Sequence, residues 1–259
     1  MHLVQAIALL IVVAVAEPAW AGAASASAPA TATAPANPAS KATQKPAVVA
    51  GSITGKVVFT GEPPARKKLV RDSDAVCAAT EKYNEDVMVT DGGLRDVVVR
   101  VVNPPAFDAA SLGKQVIINQ TQCMYEPRVV GVVVGQALAV QNGDPTFHNV
   151  RATLADKQLW NNAHPKAAPA IVKENVGQAG DVVELHCDVH PWMHAYAYVQ
   201  ASPYFAVTST DGGFAIGGLP PGKYRVEAVH PLLGTKTSTV TVGKGARAKA
   251  KTSFAFTAK

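Results

Sequence analysis

Within Asp181–Val199, DVVELHCDVHPWMHAYAYV, one short loop carries a thiol, an imidazole and a thioether: Cys187, then His190 at +3, then Met193 at +6. Upstream, Asn142-Gly143-Asp144-Pro145-Thr146-Phe147-His148-Asn149-Val150 brings a second imidazole, His148, just after a strand and a turn. Two nitrogens, one thiolate sulfur and one weak sulfur form a donor set that selects copper. Thiolate stabilises soft Cu(I), imidazole serves both oxidation states, and a long axial Met tunes the potential. Three donors on one loop approach an ion from one side, and the fourth, from a distant strand, closes it from the other. Pro191 fixes the backbone after His190 and removes an amide that would compete near the sulfur. Asn149 is placed to brace the ligand loop through a hydrogen bond.

Other chemistry stays open at this point. Tetrahedral zinc wants four strong donors, and Met193 is a poor one. His186 and His194 flank the loop and would have to substitute for it. Strand alternation, however, points both away from the face of Cys187 and Met193. A two-copper centre would need a second Cys in the loop, and none is there. The bland alternative is a buried small hydrophobe at Cys187 with surface histidines around it.

The run Cys187-x-x-His190-Pro191-Trp192-Met193 resembles the ligand loop of the cupredoxin family of blue copper proteins, and His148-Asn149-Val150 resembles that family's upstream ligand motif. The resemblance covers residues 114–203. It implies His148, Cys187 and His190 as equatorial ligands of one type-1 copper, with Met193 axial. It also implies single-electron transfer between a donor and an acceptor protein, with no substrate chemistry and therefore no enzyme. Under that resemblance His190 is the ligand nearest the surface, and Pro145, Pro191 and Trp192 form an apolar docking rim beside it.

The elements that must position these residues read as short strands. Ser52–Thr60, Asp96–Val102, Gln115–Asn119, Arg128–Val134, Ala137–Gln141, Ala170–Lys173, Asp181–Cys187 and Ala195–Gln200 are rich in β-branched residues and split by Gly, Pro and Asn turns. Phe205–Ser209, Gly213–Ile216, Tyr224–His230 and Thr235–Val242 continue the series. This spacing predicts an all-β sandwich class. Leu154–Ala168 reads as a short helix or an irregular loop. A second resemblance lies in Gly218-Leu219-Pro220-Pro221-Gly222-Lys223-Tyr224, which is similar to the carboxypeptidase regulatory-like (transthyretin-like) β-sandwich. Gly55-Lys56-Val57 and Val97–Val102 match that family's opening strands. The turn Thr210-Asp211-Gly212-Gly213-Phe214 is two residues shorter than the family's pattern. The copper motifs fall between the two halves of this second resemblance. The expected order is therefore 49–113 and 204–259 as one sandwich, with a Greek-key sandwich at 114–203 inserted. The other arrangement is two consecutive domains.

Composition bounds the rest. The chain has 259 residues, 48% hydrophobic and 17% charged, with 3 Cys. That excludes a wholly disordered chain and a disulfide-dense mini-protein. Net charge is +5, but no basic run is interleaved with aromatics, so nucleic acid is not an expected partner. Leu3–Ala16 has the length of a signal-peptide core, and Ala19-Trp20-Ala21 offers a cleavage pattern, although no Lys or Arg precedes it. Residues 1–21 are thus expected to direct export, to a bacterial periplasm, leaving no membrane span. Residues 22–48, rich in Ala, Ser, Thr and Pro, are expected to be an unstructured tether. With Cys187 on metal, the remaining Cys77 and Cys123 are expected to form one disulfide in an oxidising compartment. Nucleophile elbows, phosphate loops, dinucleotide fingerprints and peptidase zinc motifs are absent from the sequence. Copper trafficking without electron transfer, or a structural sandwich with a degenerate site, are the remaining functional alternatives.

Overall fold

In chain order the strands are β1 (Gly51–Phe59), β2 (Val89–Thr90), β3 (Gly93–Leu94), β4 (Val98–Val101), β5 (Gln115–Thr121), β6 (Met124–Glu126), β7 (Val129–Val133), β8 (Ala137–Asn142) and β9 (His148–Leu154). They continue as β10 (Lys157–His164), β11 (Ile171–Lys173), β12 (Val182–His186), β13 (His194–Gln200), β14 (Phe205–Val207), β15 (Gly213–Leu219), β16 (Gly222–His230), β17 (Gly234–Val242) and β18 (Lys249–Phe256). The only helical pieces among the described residues are α1 (Ala75–Ala78) and a 3-10 turn at Ala109–Ser111. The all-β class therefore holds. This computed structural model describes residues 50–244 and 248–258. The expected leader (1–21) and tether (22–48) lie outside the described residues.

Four sheets form. One runs β15-β1-β3-β2, with β18 added parallel to β1; a second runs β14-β4-β16-β17. Their inner faces share one core, including Ile53, Val57, Leu94, Val99, Ile216, Leu219, Val226 and Phe256. The third runs β10-β9-β12-β13-β7 and the fourth β11-β8-β5-β6, around Ile118, Leu138, Val140, Val150, Leu185, Met193 and Val199. Strands β5–β13 thus build one pair of sheets, and the chain leaves and re-enters the other pair through β4 and β14. These two strands pair antiparallel, Val98 with Val207.

Alternation explains most strands. In β1, Ile53, Val57 and Phe59 face inward; in β12, Val183 and Leu185 do. Leu154–Ala168 holds no helix, and its centre, Lys157–His164, is a strand rather than a loop. A tight turn with Ala155 at φ 49° carries β9 into β10, and Lys157 pairs with Leu154. Most of β10 faces solvent or is only half-buried, so it needs no apolar periodicity.

The two pairs of sheets meet on a small apolar seam of Val98, Val129 and Tyr198, with Phe205 and Val229 against it. A Cβ at Gly131 would lie 2.1 Å from the Phe205 ring, so only glycine lets β7 approach β14 this closely. One segment crosses from its own sheets to the other core. Cys77, on α1, is buried in the β5–β13 core and disulfide-bonded to Cys123.

Candidate metal centre

β9 begins at His148, β12 ends at His186, and the loop 187–193 returns into β13 at His194. Ladder pairing of His186 with His194 closes the loop at its root, and β9 lies against β12. Sheet geometry therefore presents the first residue of one strand to the loop that joins two others.

The structure brings three donor atoms together. His148 Nδ1 lies 2.9 Å from His190 Nδ1, and Cys187 Sγ lies 3.9 Å and 3.7 Å from those two nitrogens. All three side chains are buried. Met193 is fully buried in the same core, and its N–H donates to the His190 carbonyl, which holds the loop as a tight turn. The donor set fits a thiophilic ion. Nitrogens about 2.0–2.1 Å and a thiolate about 2.3 Å from one ion stand roughly 3 to 4 Å apart, as here. Borderline and soft donors together favour copper over harder ions.

Neighbouring groups fix the rings. Asp144 Oδ2 lies 3.0 Å from His148 Nε2, and the same carboxylate accepts from the Gln122 and Cys123 amides. Asn149 Oδ1 accepts from the Asp188 N–H at 2.7 Å and lies 3.4 Å from Cys187 Sγ, while its amide donates to Asn161 and Asp188. Tyr125 packs beneath, with its hydroxyl donating to the His186 carbonyl.

Charges follow from these contacts. Burial alone would lower the pKa of His148, but Asp144 and the Cys187 sulfur outweigh it and raise that pKa to about 9. Burial also opposes the Cys187 thiolate, but His148 and nearby hydrogen bonds pull its pKa down overall. Burial, and then the charge on His148, pull His190 the other way, to a lowered pKa. Before metal enters, His148 therefore holds a proton beside the Asp144 carboxylate, with His190 Nδ1 2.9 Å away.

His190 is not at the surface. It is fully buried, because residues 71–77 lie over it. Its Nε2 lies 3.4 Å from Cys77 Sγ and 3.4 Å from Asp74 Oδ2. Asp74 caps α1 by accepting from the Val76 and Cys77 amides, and its other oxygen accepts from the Thr146 hydroxyl. That hydroxyl bond, ahead of the other contacts, holds the Asp74 pKa down at about 2. Buried Arg71 donates to the Gln122 carbonyl and stands over the Trp192 ring.

The expected docking rim is correspondingly altered. Pro145 and Pro191 are exposed, but Trp192 is half-buried and donates its indole N–H to the Cys123 carbonyl. It is a strut under the disulfide, and the imidazole it was expected to flank is covered. Phe147 and Val189, each next in the chain to a donor residue, are instead the exposed large hydrophobics here.

Sequence reasoning overlooked Asp144 and Asp74. An acidic residue four before a histidine was a readable signal for Asp144. Asp74 had none, since its contact spans two distant segments. His164, the cross-strand partner of His148, is also buried, and neither of its ring nitrogens has a hydrogen-bond partner. His186 and His194 do not join the centre; they face out of the opposite side of the sheet.

No protein-family model matches the chain, and no curated protein matches it. Among solved structures, a reduced amicyanin mutant is similar at 22% identity over 39% of this chain and 98% of its own, with a TM-score of 0.30. Amicyanin from Paracoccus versutus is similar at 20% identity over 39% of this chain and 97% of its own, also at 0.30. The likeness is distant and confined to part of the chain.

Proposed function

We propose that this chain is an exported type-1 copper protein that passes single electrons between two redox proteins of the bacterial periplasm. The observation that carries the reading is the convergence of His148 Nδ1, Cys187 Sγ and His190 Nδ1 in a buried pocket. His148, Cys187, His190 and Met193 would hold the ion, which supplies a one-electron couple when bound. The chain's own part is to keep His148 on a strand and the other donors on a loop whose two ends are ladder-paired, so that little moves when charge changes, and to exclude water. A disulfide suits an oxidising compartment. The outer sheets are read as a transthyretin-like sandwich that serves as a scaffold.

The test is the visible and EPR spectrum of the copper-loaded, oxidised protein beside Cys187→Ser. An intense thiolate-to-Cu(II) band with narrow hyperfine splitting, lost in the variant, is expected. A colourless protein would overturn the reading.

Covered His190 favours a second reading, in which the protein retains copper without rapid electron exchange. Slow self-exchange by a blue, reducible protein would select it.

A further inference from the structure

On the outward face of the β9-β12-β13 sheet, directly behind the ligand loop, His186 and His194 stand opposite each other at paired positions. Their Nδ1 atoms are 2.9 Å apart, with the rings nearly perpendicular at 88°. We infer that this pair is a second, surface-accessible metal site, of the bis-imidazole type that takes Cu(II), Ni(II) or Zn(II). It does not depend on the buried centre.

Three features carry the inference. The first is bite. Two nitrogens each about 2.0–2.1 Å from one ion and at right angles to each other are about 2.9 Å apart. That is the separation found here, and it suits the tetragonal geometry of Cu(II) and Ni(II). The second is tautomer. Glu184, two residues before His186 and on the same strand face, places Oε2 3.4 Å from His186 Nε2. A carboxylate there keeps the proton on Nε2 and leaves the Nδ1 lone pair facing the gap, as carboxylate-backed metal histidines do. In the metal-free pair the His194 Nδ1–H fills that gap. On binding, the ion takes its place and the His194 proton moves to Nε2, so no oxidant or reductant is needed. The third is rigidity with access. Both rings stand on paired strands and are only half-buried, and a cavity of about 260 Å³, lined by Asn84, Asp86, Arg128 and Trp192, opens beside His194. Water completes the coordination on the open side.

Pair and buried centre are separated by strand alternation: Leu185 and Cys187 face inward, His186 outward. The experiment uses the full chain with the buried centre first filled with copper. Aqueous Cu(II), then Zn(II), is titrated by equilibrium dialysis, with EPR of the added copper and NMR of the histidine ring protons. A further equivalent is expected, with a wide-hyperfine tetragonal Cu(II) spectrum and shifts at His186 and His194. His186→Gln and His194→Gln should each lose that equivalent while keeping the thiolate band and the melting profile. Glu184→Gln should weaken it by about tenfold to a hundredfold. Cys187→Ser should lose the band and keep this equivalent. No extra equivalent in the wild type, or one that survives both histidine variants, overturns the site and leaves a hydrogen-bonded pair. A missing thiolate band, by contrast, strikes only the copper reading above.

Discussion

The Nε2 atom of His190 lies 3.4 Å from the Sγ of Cys77, a sulfur already bonded to Cys123. A donor residue of the candidate centre is thus roofed by a covalent cross-link rather than by solvent. Both halves of that cross-link reach a histidine. Asp74, at the head of the Cys77 helix, faces His190, and Asp144, which accepts from the Cys123 amide, faces His148.

Replacing the cross-link by Cys77→Ser with Cys123→Ser should expose the His190 edge without removing a donor. The closed segment spans 46 residues, so the chain-entropy model gives a loss of about 4 kcal/mol. Chemical denaturation measures that loss. Stopped-flow reduction of the copper-loaded variant by a small hydrophilic reductant should be faster than in the wild type. Equal rates would show that the roof does not limit access.

Asp144→Asn should weaken copper binding by about tenfold to a hundredfold, since it removes the anion that backs His148. It should also change the proton count. In the metal-free wild type His148 holds its proton up to a pH of about 9, so copper uptake at neutral pH displaces it. Without the Asp144 charge that pKa falls. Proton release at pH 7, followed calorimetrically in two buffers of different ionisation enthalpy, should therefore shrink in the variant.

His230 gives a pH dependence remote from the centre. It is buried, Nδ1 accepts from the Leu232 and Leu233 amides, and Nε2 has no partner. Burial lowers its pKa to about 4. Between pH 6.5 and about 4 the unfolded chain takes up a proton that the folded chain refuses, so this residue costs stability progressively as pH falls. Above pH 6.5 it costs nothing. His230→Asn keeps an acceptor and cannot titrate. Between pH 7 and 4.5 the variant should lose roughly 2–3 kcal/mol less than the wild type in urea unfolding.

Gly131→Ala should loosen the seam between the two pairs of sheets, because the new methyl would overlap the Phe205 ring. Overpacking of this kind costs about 1–3 kcal/mol. Phe205→Leu in the same chain should recover part of it, and a thermal melt of the single and double variants measures both.

Alternation made the β-class readable in strands such as β1 and β12, whose one face is apolar. It failed for β10, a polar edge strand that inherits its shape from the turn at Ala155. The donor residues were readable because Cys187, His190 and Met193 lie within one loop and His148 within a short motif. The roof was not. Cysteine count gave the Cys77–Cys123 pairing but not its place over His190, and Arg71 and Asp74 form no pattern of their own and acquire meaning only by landing on residues far along the chain, such as Gln122 and Thr146. His186 and His194 were readable as facing away, yet only the strand register shows that they face away together.

Strands β4 and β14 are direct partners, yet the whole β5–β13 structure lies between them in the chain. The outer sheets can form that ladder only after a very long loop has been closed, and closure costs entropy. A folded insert holds its two ends near each other and removes most of that cost. Whatever favours the native insert by mass action then also favours a pairing it never touches. An ion held by His148, Cys187 and His190 would act as a removable staple for Val98 and Val207.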